Sequence, residues 1–211
     1  MSPVSTATDA TTLPFSPYVD QLSALAKAQS TIEAKSLAGA FVQSVKKMSR
    51  ESVAQTLIDA RVGDIVEWWA ASKLPAERES AGILVERLVK GLGEGVEGLF
   101  LHAIPVLLNV LMDKVQSIRQ AAQSGVNAIV KVSAPEGVRQ IIDLLKGILD
   151  DTKGWRTKVG ALKAMEALVK PGAEEWVAEE LGHVIPSVER AMHDTKSEVS
   201  RGKGLARGDS R

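Results

Sequence analysis

The residues in this sequence best equipped for chemistry are bases gathered around an aromatic ring. Lys153, Arg156, Lys158 and Lys163 surround Trp155. Ammonium and guanidinium groups at this density neutralise phosphate, and an indole beside them stacks on a base or anchors a partner. A plainer expectation competes. Such a run is also what a solvated helix face looks like, and Trp155 also suits packing between neighbouring structural units. Lys46, Lys47 and Arg50 form a second, sparser cluster.

Other reactive types are arranged against catalysis. Asp150-Asp151, Glu174-Glu175 and Glu179-Glu180 are neighbours in sequence, so on a helix their side chains diverge and cannot face each other as acid and base. His102 and His183 recur in one phase of a repeating pattern, which argues for a shared structural role and against a metal site. There is no cysteine, hence no disulfide, thiolate zinc site or thiol nucleophile, and a reducing compartment is expected. The phosphate-binding pattern G-x-x-x-x-G-K-[ST] does not occur; Gly91 to Gly98 is glycine-rich but lacks the lysine. No cofactor and no enzymatic activity are expected. Arg207-Gly-Asp-Ser210 spells an adhesion tetrapeptide, which in this context reads as chance.

Lysine plus arginine number 26 and aspartate plus glutamate 26 in 211 residues, so any polyanion contact must come from a local patch. Without residues 200–211 the balance is 22 basic to 25 acidic, which makes the cluster around Trp155 the feature on which such contact depends. The longest uncharged stretch, Gly98 to Met112, is too short and too polar to span a bilayer. Residues 1–16 read as a disordered Ser/Thr/Ala leader without signal-peptide character. A cytoplasmic monomer with no membrane or DNA partner is the expectation.

Those candidate residues must be positioned by helices. Val138, Ile141, Ile142, Leu145, Ile148 and Leu149 fall on one helical face, and Ile118, Ala122, Gly125, Val126, Ile129 and Val130 on another. The reading is all-α, with about ten helices. Ser133 to Glu136 and Thr195 to Glu198 each suggest a capping box, and Pro171-Gly172 a helix end. A repeat overlays this pattern. His102-Ala-Ile-Pro105 and His183-Val-Ile-Pro186 match, each followed eight residues after the proline by Asp113 or Asp194. Asp151-Thr-Lys153 recurs as Asp194-Thr-Lys196, and Arg78-Glu-Ser-Ala81 aligns with Arg119-Gln-Ala-Ala122, 41 residues on. Proline would bend a first helix, aspartate cap a second, and alanines allow close stacking. This is the pattern of a HEAT/ARM-type α-solenoid of about four to five helix pairs.

From Ile142 onward the sequence resembles the N-terminal HEAT domain of fungal translation elongation factor 3. The resemblance rests on Asp151-Thr-Lys-Gly-Trp155-Arg-Thr-Lys158-Val-Gly-Ala-Leu, Leu181-Gly-His-Val-Ile-Pro186 and Met192-His-Asp-Thr-Lys-Ser-Glu-Val199. A tryptophan-lysine turn is shared by a remote relative, the large HEAT protein that activates the kinase of general amino-acid control. The resemblance implies a docking arm for the ribosome, through rRNA and ribosomal proteins, in a cytosolic ABC-type ATPase whose nucleotide chemistry lies in other domains. It implies Lys153, Trp155, Arg156, Lys158, Lys163 and Lys196 as candidate ribosome contacts. The HEAT domain is expected over residues 17–199 with its last repeat incomplete. Residues 200–211, with three glycines and four basic residues, depart from the family pattern and read as an aberrant tail. The alternative is a protein-binding scaffold of another kind, such as a tubulin-binding array.

Overall fold

A computed structural model describes residues 18–93, 96–151, 154–169 and 174–205. Apolar spacing of three and four residues becomes ten α-helices there: α1 (Val19–Ala26), α2 (Thr31–Lys46), α3 (Arg50–Asp59), α4 (Val62–Ala70), α5 (Pro75–Leu92), α6 (Ala103–Val110), α7 (Gln116–Val132), α8 (Pro135–Asp151), α9 (Trp155–Leu168) and α10 (Glu174–Leu205). A short 3₁₀ turn, Glu97–Phe100, precedes α6. No strand occurs among the described residues.

The helices form two layers. Within each pair, antiparallel neighbours pack across a short turn: α1 on α2, α4 on α5, α6 on α7, α8 on α9. Between pairs, α2, α5, α7 and α9 stack in one layer, while α4, α6, α8 and α10 stack in the other. A single pair leaves one apolar flank open, and stacking covers it. Leu84, Leu88, Ile104, Leu107, Leu108 and Ile129 are accordingly sealed from water in one continuous core. Adjacent tryptophans behave as helical geometry dictates: Trp69 is 3% exposed and Trp68 47%. The side chain of Trp176 lies outside the described residues, as do residues 1–17 and Pro171-Gly172.

Helix starts at Pro75, Gln116 and Trp155 set the repeat, in steps of 41 and 39 residues. The turns before Pro75 and Gln116 are built alike. The Ser72 hydroxyl accepts the Leu74 N–H at 3.1 Å, and the Asp113 carboxylate accepts the Val115 N–H at 2.8 Å, the side-chain turn that serine and aspartate favour. Asp113 therefore organises the turn two residues before the helix cap, Val115, instead of capping the helix itself. Six residues later an arginine closes both of these turns: Arg78 donates to the Ser72 carbonyl at 2.9 Å and Arg119 to the Asp113 carbonyl at 2.8 Å. Arg78 Nε also reaches the Asp113 carboxylate at 2.7 Å, linking one repeat to the next.

Other sequence expectations are corrected. Pro105 is the third residue of α6, in the first turn, where no intrahelical hydrogen bond is lost, so it does not bend that helix. Among the described prolines, Pro186 sits in a helix interior, in α10. The Ser133 hydroxyl donates to the Ile129 carbonyl at 2.7 Å and so closes α7, while α8 begins at Pro135. Helix α5 ends at Gly93, whose φ of 76° suits a residue without Cβ. The turn expected at Asp194-Thr-Lys196 is absent: α10 runs unbroken from Glu174 to Leu205, so Thr195 to Glu198 starts no helix.

Candidate nucleic-acid interface

Charge is segregated between the two layers of the solenoid. In the first, α7 holds Arg119 and Lys131 and no acid, and α9 holds Arg156, Lys158 and Lys163 against one glutamate, Glu166. In the second, α8 carries Glu136, Asp143, Asp150 and Asp151 against Arg139 and Lys146. A near-neutral chain thus presents a cationic face on α7 and α9 and an acidic one on α8. Of these two faces, the α7–α9 one attracts a polyanion.

Between α7 and α9 lies a groove of about 340 Å³, walled by Gln116, Arg119, Gln120 and Gln123 from one helix and by Trp155, Arg156, Val159 and Lys163 from the other. No acidic side chain lines it. Gly160 and Leu111 form its floor, and a Cβ on Gly160 would overlap the side chain of Leu111 at the end of α6, so the missing side chain lets α9 approach α6 there. The Gln123 side-chain amide donates to Asn127 Oδ1 on its own helix at 2.9 Å and across the groove to the Gly160 carbonyl at 3.4 Å. The Arg156 guanidinium lies over the Trp155 ring, 5.1 Å from its centroid, which pre-orients both groups. Gln116, Gln120 and Lys163 are exposed.

The candidate residues from the sequence divide accordingly. Trp155, Arg156 and Lys163 converge on the groove. Trp155 is half-buried at the first position of α9, neither sealed between repeats nor fully exposed. Lys158 is corrected: it is 7% exposed and occupies the phase of Arg78 and Arg119, the fourth residue of the inner helix. Its backbone N–H bonds the Gly154 carbonyl as those of Arg78 and Arg119 bond Leu74 and Val115. It shares the phase of those arginines and is withdrawn from the surface. Lys153 lies outside the described residues, but Lys73 and Lys114, its counterparts in phase, are exposed at their turns. Lys196 falls inside α10, with its side chain outside the described residues.

The glutamines and Arg119 were not visible as site residues in sequence, because glutamine carries no charge and α7 lies some way upstream. Their signal is the total lack of acid in α7. Two of these carboxylates serve the scaffold: Arg190 donates to Asp150 at 2.8 Å, Ser187 donates to it at 3.1 Å, and Arg139 pairs with Glu180 at 2.7 Å, joining α8 to α10. The Arg190 hydrogen bond, with help from Ser187 and Lys146, holds the Asp150 carboxyl below its ordinary range. His102 and His183 are both exposed, and no group of three metal-ligating side chains occurs among the described residues. No described helix is long and apolar enough to cross a membrane.

Paired helices stacked in two layers around one continuous core define an α-solenoid of the HEAT class. Residues 34–202 match the family described as EF3 N-terminal HEAT repeat, and the chain belongs to that family. It is 31% identical to elongation factor 3 of Gonapodya prolifera over 155 residues, covering 73% of this chain and 14% of that protein. It is 33% identical to mRNA export factor elf1 of Schizosaccharomyces pombe over 126 residues, covering 59% of this chain and 12% of that protein. It is 26% identical to the eIF-2-alpha kinase activator GCN1 of Saccharomyces cerevisiae over 140 residues, 66% of this chain and 5% of that protein. The chain thus spans a small part of the length of these relatives.

Proposed function

We propose that this chain is a non-catalytic, ribosome-docking HEAT segment of an elongation factor 3-like protein, working in the cytoplasm. The observation that carries the reading is the acid-free cationic groove with Trp155 at its mouth, on the layer where α7 and α9 stack. Relatives named elongation factor 3 and stalled ribosome sensor GCN1 support the same assignment. Arg156 and Lys163 supply the phosphate contacts, Trp155 the apolar one, and binding is salt-sensitive because it rests on counterion release.

Co-sedimentation with ribosomes across a salt series tests it. Reversing Arg156 and Lys163 together to glutamate is expected to weaken binding about tenfold or more and flatten the salt dependence. Lys35→Glu, on an exposed position of α2, is the control and leaves binding unchanged. Folded protein that fails to pellet with ribosomes even at low salt overturns the proposal. A second reading, a protein-binding scaffold, is favoured by Leu74, Met112 and Val115, which are 57%, 46% and 46% exposed along the turn edge. Retained ribosome binding in the reversed variant, lost on Leu74→Ser with Val115→Ser, would support that reading instead.

A further inference from the structure

The groove has features that general attraction to phosphate does not require. Duplex RNA is met across its backbone, by cations on an open surface, with no need for an aromatic ring or amides set into a cleft. Here the cations border a recess. Its volume of about 340 Å³ falls in the range of about 300–1,000 Å³ that small-ligand sites occupy. An indole bearing a guanidinium plane stands at the mouth, and either surface stacks on a nucleobase. Gln116 and Gln120 project exposed amides from the opposite wall, donors and acceptors suited to a base edge. Lys163, exposed two helical turns along α9 from Trp155, is placed for the phosphate that accompanies such a base.

We propose that the α7–α9 groove binds an unpaired RNA nucleotide, its base stacked on the Trp155–Arg156 pair and its phosphate on Lys163. This rests on the ribosome-docking reading and specifies what that surface takes from the ribosome: a looped-out or single-stranded nucleotide. A sequence preference is secondary, since stacking tolerates every base and only Gln116 and Gln120 address the base edge. Arg119 shapes the wall while its guanidinium holds the Asp113 and Lys114 carbonyls, both at 2.8 Å, so it is a positioning residue.

The test uses the full chain with an unstructured oligouridylate of about ten nucleotides, the same length of RNA as a duplex, and an acidic peptide of equal charge. Affinity is read by anisotropy and stacking by tryptophan fluorescence. Expected are binding of the single strand at least about fivefold tighter than the duplex, and quenching that disappears in Trp155→Phe when the affinity is saturated. Trp155→Ala weakens the single strand about tenfold. Lys163→Gln, on an exposed position that leaves the fold intact, lowers the slope of log affinity against log salt by about 0.7, one single-strand phosphate. Equal binding of duplex and single strand, unchanged quenching in Trp155→Phe, or an unchanged slope in Lys163→Gln overturns the inference, as does preference for the acidic peptide. Ribosome co-sedimentation of the same variants separates the two proposals: binding that survives Trp155→Ala while single-strand binding is absent defeats the nucleotide site and leaves docking standing.

Discussion

Gly82→Val is expected to lower stability by about 3 kcal/mol, which in a domain of this size lowers the midpoint of thermal unfolding by roughly 6–12 °C. The reason is where α5 meets α7. A Cβ at Gly82 would overlap the Ala121 carbonyl carbon and lie 2.6 Å from the Ala122 nitrogen. Both are backbone atoms, so no rotamer change relieves the overlap and the helices must separate. Opposite, a Cβ at Gly125 would stand 3.0 Å from the Gly82 carbonyl oxygen, so the crossing is lined by small residues from both helices. Separation would loosen Leu84, Leu88, Ile104 and Ile129 in the core between the layers. Gly147→Ala is the internal control. That glycine lies in α8 with open space where a Cβ would go. Replacement there should stabilise by about 0.5–1 kcal/mol through backbone entropy alone. Opposite shifts in the two melting curves check the argument; a Gly82→Val protein as stable as the parent would show that α5 and α7 do not pack this closely.

Both glycines look alike in sequence, which marks the limit of what sequence carried here. Helical spacing is a local property, so the all-α class and the helices bearing Val138 to Leu149 or Ile118 to Val130 were legible from their apolar residues. The repeat was legible as well, through His102/His183 and Arg78/Arg119. Its third register was not. Position 152 is threonine where the repeat before it has Asp113, and Asp151, the nearest aspartate, ends α8 one residue out of phase. Aligned on Asp151, Lys158 reads as part of a surface cluster; aligned on the helix start at Trp155, it is the successor of Arg78 and Arg119 and is buried. The groove needed three dimensions for a different reason. Trp155, Arg156 and Lys163 stand close in sequence, but Gln116, Gln120 and Arg119 reach them only because α7 and α9 stack. At Asp194 a turn motif identical in residues gave a continuous helix, since a turn of this kind is fixed by its neighbours. Arg78 reaching over to Asp113 is such a neighbour, contributed by the preceding repeat.

That interaction sets the second large effect. Asp113→Ala is expected to destabilise by about 1.5–3 kcal/mol, the range for hydrogen bonds to a charged group. It removes the acceptor of the Val115 N–H and leaves the mostly buried Arg78 guanidinium, 20% exposed, without its carboxylate. Burial pushes the Asp113 carboxyl up, yet the Val115 N–H, the Arg78 guanidinium and the charge of Arg119 together outweigh it and hold the group below its ordinary value of 3.8. The sign of the pH dependence follows. A carboxyl with a depressed value in the folded protein binds fewer protons there than in the unfolded chain, so its stabilisation is complete above the unfolded value and is lost as pH falls through the folded one. Urea unfolding of the parent and of Asp113→Asn should therefore differ by a constant amount from neutral pH down to about pH 5, and converge below about pH 4. Asp150, held down by Arg190 on α8 and α10, keeps its own acid dependence in the variant. Arg78→Met should reproduce most of the loss, and the double variant should cost less than the sum, because each single change removes the same bond. Full additivity of the two would mean that Arg78 and Asp113 act independently, and that the turns are held by their own backbone bonds and not by the link between repeats.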